Sequence, residues 1–406
     1  MGRPGTGCTG GGLTMTRTVL APVQQRGREA LARMGLPTRR EESWRLTDLK
    51  RLEALTRLPL SATPTPTAWP APAPSVLRLV LDGVGDPLEG VSLPEGVRVL
   101  QPAELEQALG HTLDRCACAA DWPVEFNHAS ARQVLALGIR GAVPPLELVM
   151  AGGDGLTATR VLLLLEEKAE LELLQVCPGA AATAQSHLLE VHLGQEATLR
   201  HGLIACADGH PSLLAHCAVE QEPRSSYSLT SVVKGWSFAR LEPRVVQVDG
   251  DASTTLRGLA VTSEDQQLAT HSAVRFNGPD GGLDQLHKCL AGGRSHAIFN
   301  GAIQVPREAQ RTDAAQLSRN LLVSDRARID TKPELEIVAD DVRCAHGATV
   351  SQLQDDELFY LQSRGIAAAD AAALLLRGYC QEVVDQLPAA ASVWRVMDGL
   401  LAEVTS

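Results

Sequence analysis

The chain is poor in aromatic residues, which make up only 3% of its 406 positions. Three tyrosines and five phenylalanines are too few to line a groove with the aromatic platforms that sugar rings require. Because 44% of the residues are nonetheless apolar, a large core has to be built mainly from Leu, Val and Ala. This composition suits stacked narrow strands better than a pocket for a flat cofactor.

Positive charge is also scarce. The formal net charge is −11, and no stripe of Lys and Arg with interleaved aromatics is present. A protein that binds nucleic acid needs clustered basic residues to neutralise phosphates, so the charge argues against that class of partner. No run of 18 apolar residues exists, and a transmembrane helix is therefore not expected.

Several catalytic signatures are missing as well. The sequence has no GxxxxGK[ST] phosphate loop, so any dependence on ATP must be supplied by a partner. It contains neither a GxSxG nucleophile elbow nor an HExxH metal motif. Nine cysteines, an odd number without a CxxC pair, indicate reduced thiols in a reducing compartment.

The first part of the chain divides by composition. Residues 1–20 are rich in Gly and Thr and are expected to form a disordered tail, for which a tag, the remnant of a transit peptide and an over-extended start are open alternatives. Residues 21–60 repeat apolar positions at helical spacing and predict an N-terminal helical region. Residues 61–74 read SATPTPTAWPAPAP, a proline-rich extended linker. Residues 75–155 mix strand and helix signals and are predicted to lead into the core.

Residues 156–352 are dominated by short alternating runs such as SHLLEVHLG, ATLRHGLIA and AIFNGAIQV. Many are followed by Asp-Gly, Asn-Gly or Gly-Gly turns, and helical periods are scarce. An antiparallel sandwich and a coiled stack of strands are both consistent with this sequence pattern. The weak hairpin signals and the small, uniform inward residues favour a parallel solenoid core.

Six histidines lie on these predicted strands. None is paired with a carboxylate at a sequence spacing that defines a metal site, so we expect solvated or hydrogen-bonded sheet residues. The six are His192, His201, His216, His271, His287 and His296. Cys289 follows His287 by two positions and gives a same-face thiol and imidazole pair.

Residues 353–406 predict a C-terminal helical domain. A first helix spans LFYLQSRG with Gly365 at its stop position, and a second runs from about Ala368 to Leu387 before Pro388. The apolar stripe of the second helix consists of Leu376, Tyr379, Cys380, Val383 and Leu387. This stripe is expected to cover the last coil of the solenoid, which needs a cap.

The most informative stretch is KPELEIVADDVRCAHGATVSQLQDDELFYLQSRGI, residues 332–366. After the Asp340-Asp341 break, Cys344 and His346 occupy alternate positions of a strand and share one face, roughly 6.6 Å apart. Thiolate and imidazole are suitable ligands for iron-sulfur chemistry, but a stable cluster normally needs four ligand positions. The sequence therefore predicts half of a metal site.

At these residues the chain resembles the SufB/SufD family of iron-sulfur cluster assembly proteins. CAHGAT and LFYLQSRGI match the C-terminal signature of the family, and FNGAIQV, AQRTDA and NLLVSD continue the match upstream. GLPTRREESWRLTDL, residues 35–49, resembles its N-terminal signature. The C-x-H-G-A-T form, and Ala327 where a SufB-like chain carries a cysteine, make the chain similar to SufD.

The resemblance implies a right-handed parallel β-helix that acts as a scaffold without catalytic residues of its own. It also implies that His346, with Cys344, meets a cysteine of SufB at a shared interface, where a nascent cluster forms transiently. The helical end would bind the ATPase subunit SufC, which supplies ATP hydrolysis. The candidate contacts for SufC are Leu358, Tyr360, Leu361, Arg364, Leu376, Tyr379 and Val383.

No cofactor is expected to bind stably to the chain alone, and a reduced flavin in the assembled complex is left open. A homodimer is expected for the isolated chain, because a surface meant for a homologue often accepts a second copy. The predicted location is the cytoplasm, or the plastid stroma if the N-terminal tail is a transit remnant. Two alternatives are a β-helix polysaccharide lyase and a metal-free structural homo-oligomer.

Overall fold

The computed structural model describes residues 11–64, 68–180 and 183–401. It begins with helix α1 (Gly11–Met34), a 3₁₀ turn (Glu42–Trp44) and helix α2 (Leu49–Thr56). Half of the tail predicted at residues 1–20 therefore belongs to α1, and residues 1–10 lie outside the described part. Asp48 caps α2 by accepting hydrogen bonds from two backbone N–H groups of its first turn.

A mixed region and a long series of strands follow. The mixed region consists of β1 (Leu77–Leu81), β2 (Val97–Val99), α3 (Pro102–Ala108), α4 (His111–Arg115) and α5 (Trp122–Ser130). The strands are β3 (Val134–Ile139), β4 (Leu146–Met150), β5 (Leu156–Leu165), β6 (Glu170–Ala180), β7 (Ala184–Leu193), β8 (Thr198–Asp208), β9 (Ser212–Gln221), β10 (Ser226–Lys234), β11 (Phe238–Gln247), β12 (Ser253–Thr262), β13 (Gln267–Phe276), β14 (Gly282–Ala291), β15 (His296–Val305), β16 (Asp313–Leu322), β17 (Arg328–Ile337) and β18 (Arg343–Ser351). The chain ends with α6 (Asp355–Ser363), α7 (Ala368–Val384), a 3₁₀ helix (Ala389–Trp394) and α8 (Val396–Gly399).

Alternate strands belong to alternate sheets. The first sheet has the order β1-β4-β6-β8-β10-β12-β14-β16-β18, and the second has the order β17-β15-β13-β11-β9-β7-β5-β3-β2. Every neighbouring pair is parallel except β2 and β3. Ala184 pairs with Ser212 and Ser212 with Phe238, so these two successive coils take 28 and 26 residues. The predicted parallel solenoid is confirmed.

The core lies between the two sheets and follows the period of two along each strand. On β9, for example, Leu213 and Val219 are fully buried members of a cluster that runs from Leu79 to Ala339. Small residues such as Ala205 and Ala239 alternate with Leu and Val in the same cluster. The first coil is already formed by β3 and β4, so the solenoid begins upstream of the boundary expected at residue 156.

Helices cover the outer faces of both sheets. Trp44 and Trp122 pack edge-to-face, 5.9 Å between ring centroids, over apolar residues of the second sheet such as Leu214 and Phe238. On the opposite side, α7 packs against Leu259 and Leu290 of the first sheet. Within the described residues, no helix is both long and apolar enough to cross a membrane.

Candidate functional site at the open end of the solenoid

The last coil leaves two strand edges open. Strand β17 ends one sheet and β18 ends the other, and each pairs with a single neighbour, β15 or β16, within the described residues. Large apolar side chains are exposed on this coil, with Val338 at 57% and Val350 at 45% of full exposure. Unpaired N–H and C=O groups beside exposed apolar residues are typical of a surface that another chain covers.

Cys344 and His346 lie on β18 at this open end. In the parallel register, Cys344 pairs with Ala314 and His346 pairs with Gln316, both of which are buried inside the coil. The two side chains therefore belong to the inward face of the last coil, as the sequence alternation predicted. Cys344 is half-buried and His346 is exposed, because no further coil follows within the described chain.

Burial raises the pKa of the Cys344 thiol above its ordinary value of 9.0, and the nearby charge of Asp313 adds to this effect. A hydrogen bond with the backbone of Ala314 opposes it without reversing the shift. The thiol is thus neutral near pH 7. A metal ion would displace its proton on binding, since the thiolate is the ligand form.

The interior of the solenoid becomes polar toward this end. Nε2 of Gln316 donates to Oε1 of Gln285 over 2.8 Å, and Nε2 of Gln285 donates to Oγ of Ser272 over 2.8 Å. Oε1 of Gln316 is buried and accepts no hydrogen bond from the described chain. Because His346 is the register partner of Gln316, this oxygen is available to orient the imidazole.

The second thiol and imidazole pair is closed off from solvent. His287 and Cys289 are buried on β14, with Sγ of Cys289 3.6 Å from Nδ1 of His287. Burial lowers the pKa of His287 to about 3 and raises that of Cys289 to about 12. His287 also stacks on Phe299, 4.3 Å between ring centroids. This pair is a packed core element.

The candidate SufC contacts separate into two groups. On α6, Tyr360 is exposed, and Leu358 and Leu361 are half-buried. Arg364, which directly follows α6, is exposed, and its guanidinium lies 5.4 Å from the Tyr360 ring centroid. No residue of α6 is buried. Phe359, which the sequence analysis did not single out, is 72% exposed and is the most exposed of the large apolar residues in the described chain.

The α7 residues face the solenoid. Leu376 and Val383 are buried against the first sheet, and Tyr379 Oη lies 3.2 Å from the carbonyl oxygen of Cys289. The buried ammonium of Lys288 donates to the Tyr379 carbonyl over 2.8 Å and pairs with Glu382. The stripe therefore covers the flank of the solenoid, and the expectation that it caps the last coil is corrected. The physical reason is that outward apolar side chains of β10, β12, β14 and β16 need cover as much as the coil end does.

Two groups of potential metal ligands on the outer face of the second sheet were missed in the sequence. They are Asp121 with His216 and Glu242, and His192 with Glu220 and Glu222; in each group the ligand atoms lie within 4.8 Å of one another. The parallel register brings them together, since His192 pairs with Glu220 and His216 with Glu242. A search for His and Glu one coil apart would have found both pairs.

A parallel β-solenoid with covered flanks and an open coil that presents a thiol and an imidazole has the architecture of a scaffold that works with other chains. Residues 148–379 match the family model described as SUF system FeS cluster assembly, SufBD core domain. The chain therefore belongs to the SufB/SufD family of iron-sulfur cluster assembly proteins.

Individual relatives agree with this family. The chain is 28% identical to the iron-sulfur cluster assembly protein SufD of Escherichia coli over 91% of its own length and 90% of that protein. It is 41% identical to an iron-sulfur cluster assembly SufBD family protein of Synechocystis, over 50% of this chain and 44% of the relative. Identity to the chloroplastic protein ABCI7 of Arabidopsis thaliana is 35% over 56% of this chain and 49% of the relative. The matches to the last two thus span about half of each relative.

Proposed function

We propose that this chain is a SufD-like scaffold subunit, which pairs with SufB through the open end of its solenoid and holds SufC on its C-terminal helices. The observation that carries the proposal is the pair Cys344 and His346 on β18, an edge strand that pairs with β16 on one side and has its other edge open within the described residues. Family membership supplies the class of chemistry, the assembly of iron-sulfur clusters.

The pair offers only two donors. Neither Cys344 nor His346 belongs to a group of three potential ligands within the described residues. A cluster needs about four ligand positions, so a partner has to supply the others. We infer that SufB contributes them, and that the cluster is cargo transferred onward.

The open strand edges suit a homologous partner. A second solenoid end can continue both sheets by main-chain hydrogen bonds, while Val338 and Val350 become buried. The same surface accounts for the proposed homodimer of the isolated chain. In the complex, SufB would replace the second copy.

The docking of SufC is assigned to α6. Phe359 and Tyr360 are exposed aromatics on a helix without buried residues, and aromatic anchors of this kind dominate many interfaces. Helix α7 supports α6 because its own apolar stripe is anchored on the solenoid. ATP would thus act through SufC. Binding of a reduced flavin to the complex stays an open question, and the cytoplasmic or stromal location stays a prediction.

The test is co-purification of this chain with SufB and SufC, followed by anaerobic reconstitution with iron and sulfide. We expect His346→Ala to keep the complex but lower the cluster yield at least tenfold, while exposed His210→Ala, the matched control, leaves it unchanged. Equal yields in both variants would reject the metal role of His346. Release of SufC by Tyr360→Ala, with SufB retained, would support the docking assignment.

The two alternatives predict different outcomes in the same preparation. Cleavage of pectin or alginate by the purified chain would favour a polysaccharide lyase. A stable homo-oligomer that binds neither partner and takes up no iron would favour a metal-free structural role.

A further inference from the structure

Helix α4 is held against the outer face of the second sheet. The backbone N–H of Gly110, just before the helix, donates to Oε2 of Glu190 over 2.8 Å. At the other end, Nε–H of Arg115 donates to Oε1 of Glu220 over 3.2 Å. These contacts place His111, the first residue of α4, above strands β7 and β9.

Beneath His111 lie His192, Glu220 and Glu222. His192 and Glu220 are register partners on adjacent parallel strands, and Glu222 follows directly after β9 ends at Gln221. One ligand atom from each of the three lies within 4.8 Å of the others. His111 is not one of these three but lies beside Glu220, with Nε2 3.6 Å from Oε2 of Glu220.

The centre of this group is a buried carboxylate oxygen. The side chain of Glu220 is only 3% exposed, and its Oε2 accepts no hydrogen bond from the described residues. A buried acceptor left in this state destabilises the fold, and a bound cation would remove that cost. Oε1 is engaged by Arg115, so Oε2 is the atom that remains available to a ligand.

The distances from Oε2 of Glu220 to the two imidazole nitrogens are closer to the separation between two ligands of one metal ion than to the length of a hydrogen bond. Nδ1 of His192 is 3.5 Å away and Nε2 of His111 is 3.6 Å away. A good N–H···O hydrogen bond spans about 2.7–3.2 Å. Two ligands bound at about 2.1 Å to one tetrahedral ion are separated by roughly 3.4 Å.

The neighbouring group around Glu242 differs in the partners of its central carboxylate. Arg240 pairs with Oε1 of Glu242 and Arg244 with Oε2, so both carboxylate oxygens already have cationic partners. Arg244 also lies 3.6 Å from Asp121. Two arginines there pair with Glu242, and one of them also lies near Asp121, whereas Arg115 is the one arginine that pairs with Glu220 within the described residues.

We propose that His111, His192, Glu220 and Glu222 form a binding site for a divalent transition-metal ion of the zinc or ferrous type. Two imidazoles and two carboxylates form a donor set suited to such ions. Exposure of the His111 side chain at 58% and of His192 at 31% gives the ion a path from solvent. The bound ion ties α4 to the sheet. The site lies where α4 meets β7 and the end of β9, separate from Cys344 and His346 on β18, and does not depend on the proposed function.

The test is titration of the full-length chain with Zn²⁺ by calorimetry. The background variant is the double substitution Cys344→Ala and His346→Ala, which removes the donors at the open end. We expect one Zn²⁺ per chain in both the wild type and this background. Glu220→Gln, which keeps the shape of the side chain, should weaken binding at least tenfold. His210→Ala, which removes an exposed histidine elsewhere, should leave the affinity unchanged.

His192→Asn is the second variant if Glu220→Gln folds poorly, because His192 lies closer to the surface. Circular dichroism of each metal-free variant checks the fold independently of binding. Co²⁺ gives a second readout, since coordination by imidazole and carboxylate produces visible absorption that Glu220→Gln should abolish. Unchanged Zn²⁺ affinity in folded Glu220→Gln or His192→Asn, or loss of the ion in the Cys344 and His346 background, would overturn the proposal.

Discussion

Leu376 and Leu374 lie on the same helix, α7, but in opposite environments. Leu376 is 2% exposed among Leu259, Leu290 and other residues of the first sheet, whereas Leu374 is 51% exposed. Leu376→Ala removes three buried carbon groups, which contribute about 2.4 kcal/mol at about 0.8 kcal/mol each. The cavity left behind adds to this loss, so we expect a total of about 3–4 kcal/mol. Leu374→Ala should cost less than about 1 kcal/mol.

The assay is urea unfolding followed by circular dichroism, combined with hydrogen exchange of the α7 amides in the native protein. Leu376→Ala should lower the free energy of unfolding and speed exchange along α7, whereas Leu374→Ala should leave exchange near the wild-type rate. Equal effects of the two substitutions would refute the packing of α7 on the flank. Loss of SufC binding in Leu376→Ala without loss of stability would indicate that Leu376 contacts SufC directly.

Three further predictions concern other parts of the chain. Burial lowers the pKa of His187, His201 and His287 to about 3. The stability that depends on their neutral forms is fully present above pH 6.5 and is lost as pH falls toward the folded pKa. From pH 6 to pH 5 the three histidines together should lower the free energy of unfolding by about 3–4 kcal/mol. His201→Gln should flatten a plot of unfolding free energy against pH, and an unchanged slope would contradict this. Gly235 has φ +79°, and an added Cβ would lie 1.9 Å from the Ala207 carbonyl oxygen. Gly235→Ala should therefore lower the free energy of unfolding by about 2–4 kcal/mol, measured by thermal unfolding. An unchanged free energy of unfolding would contradict the tight turn. Cys344 has a raised pKa, so peptide mass spectrometry should detect slower alkylation at pH 8 than for a free thiol, and faster alkylation would contradict the half-buried position.

Much of the fold could be predicted from the sequence, because the solenoid repeats a local pattern. Period-two alternation in short runs predicted the strands, and the scarcity of hairpin signals favoured parallel pairing. The early coils were harder to find. Strands β3 and β4 are VLALGI and LELVM, short and buried on both faces, so they lack the alternation that marks the later strands.

The candidate site could be predicted only in part from the sequence. The alternation after Asp341 placed Cys344 and His346 on one face, as in the structure. Sequence spacing could not show which side of α7 meets the sheet, since an apolar stripe indicates burial but does not name its partner. The grouping of His192 with Glu220 depends on the length of a coil, and that length follows only once the strand register is known.

We infer that this chain contributes an incomplete ligand set, Cys344 and His346, at the open end of its solenoid. The most direct measurement is the iron and acid-labile sulfide content of the complex of this chain with SufB and SufC after anaerobic reconstitution. We expect iron and sulfide in the wild-type and His210→Ala complexes and at least a tenfold loss in the His346→Ala complex, with all three chains retained. Equal iron and sulfide in the His346→Ala complex, or a cluster bound by this chain alone, would contradict it.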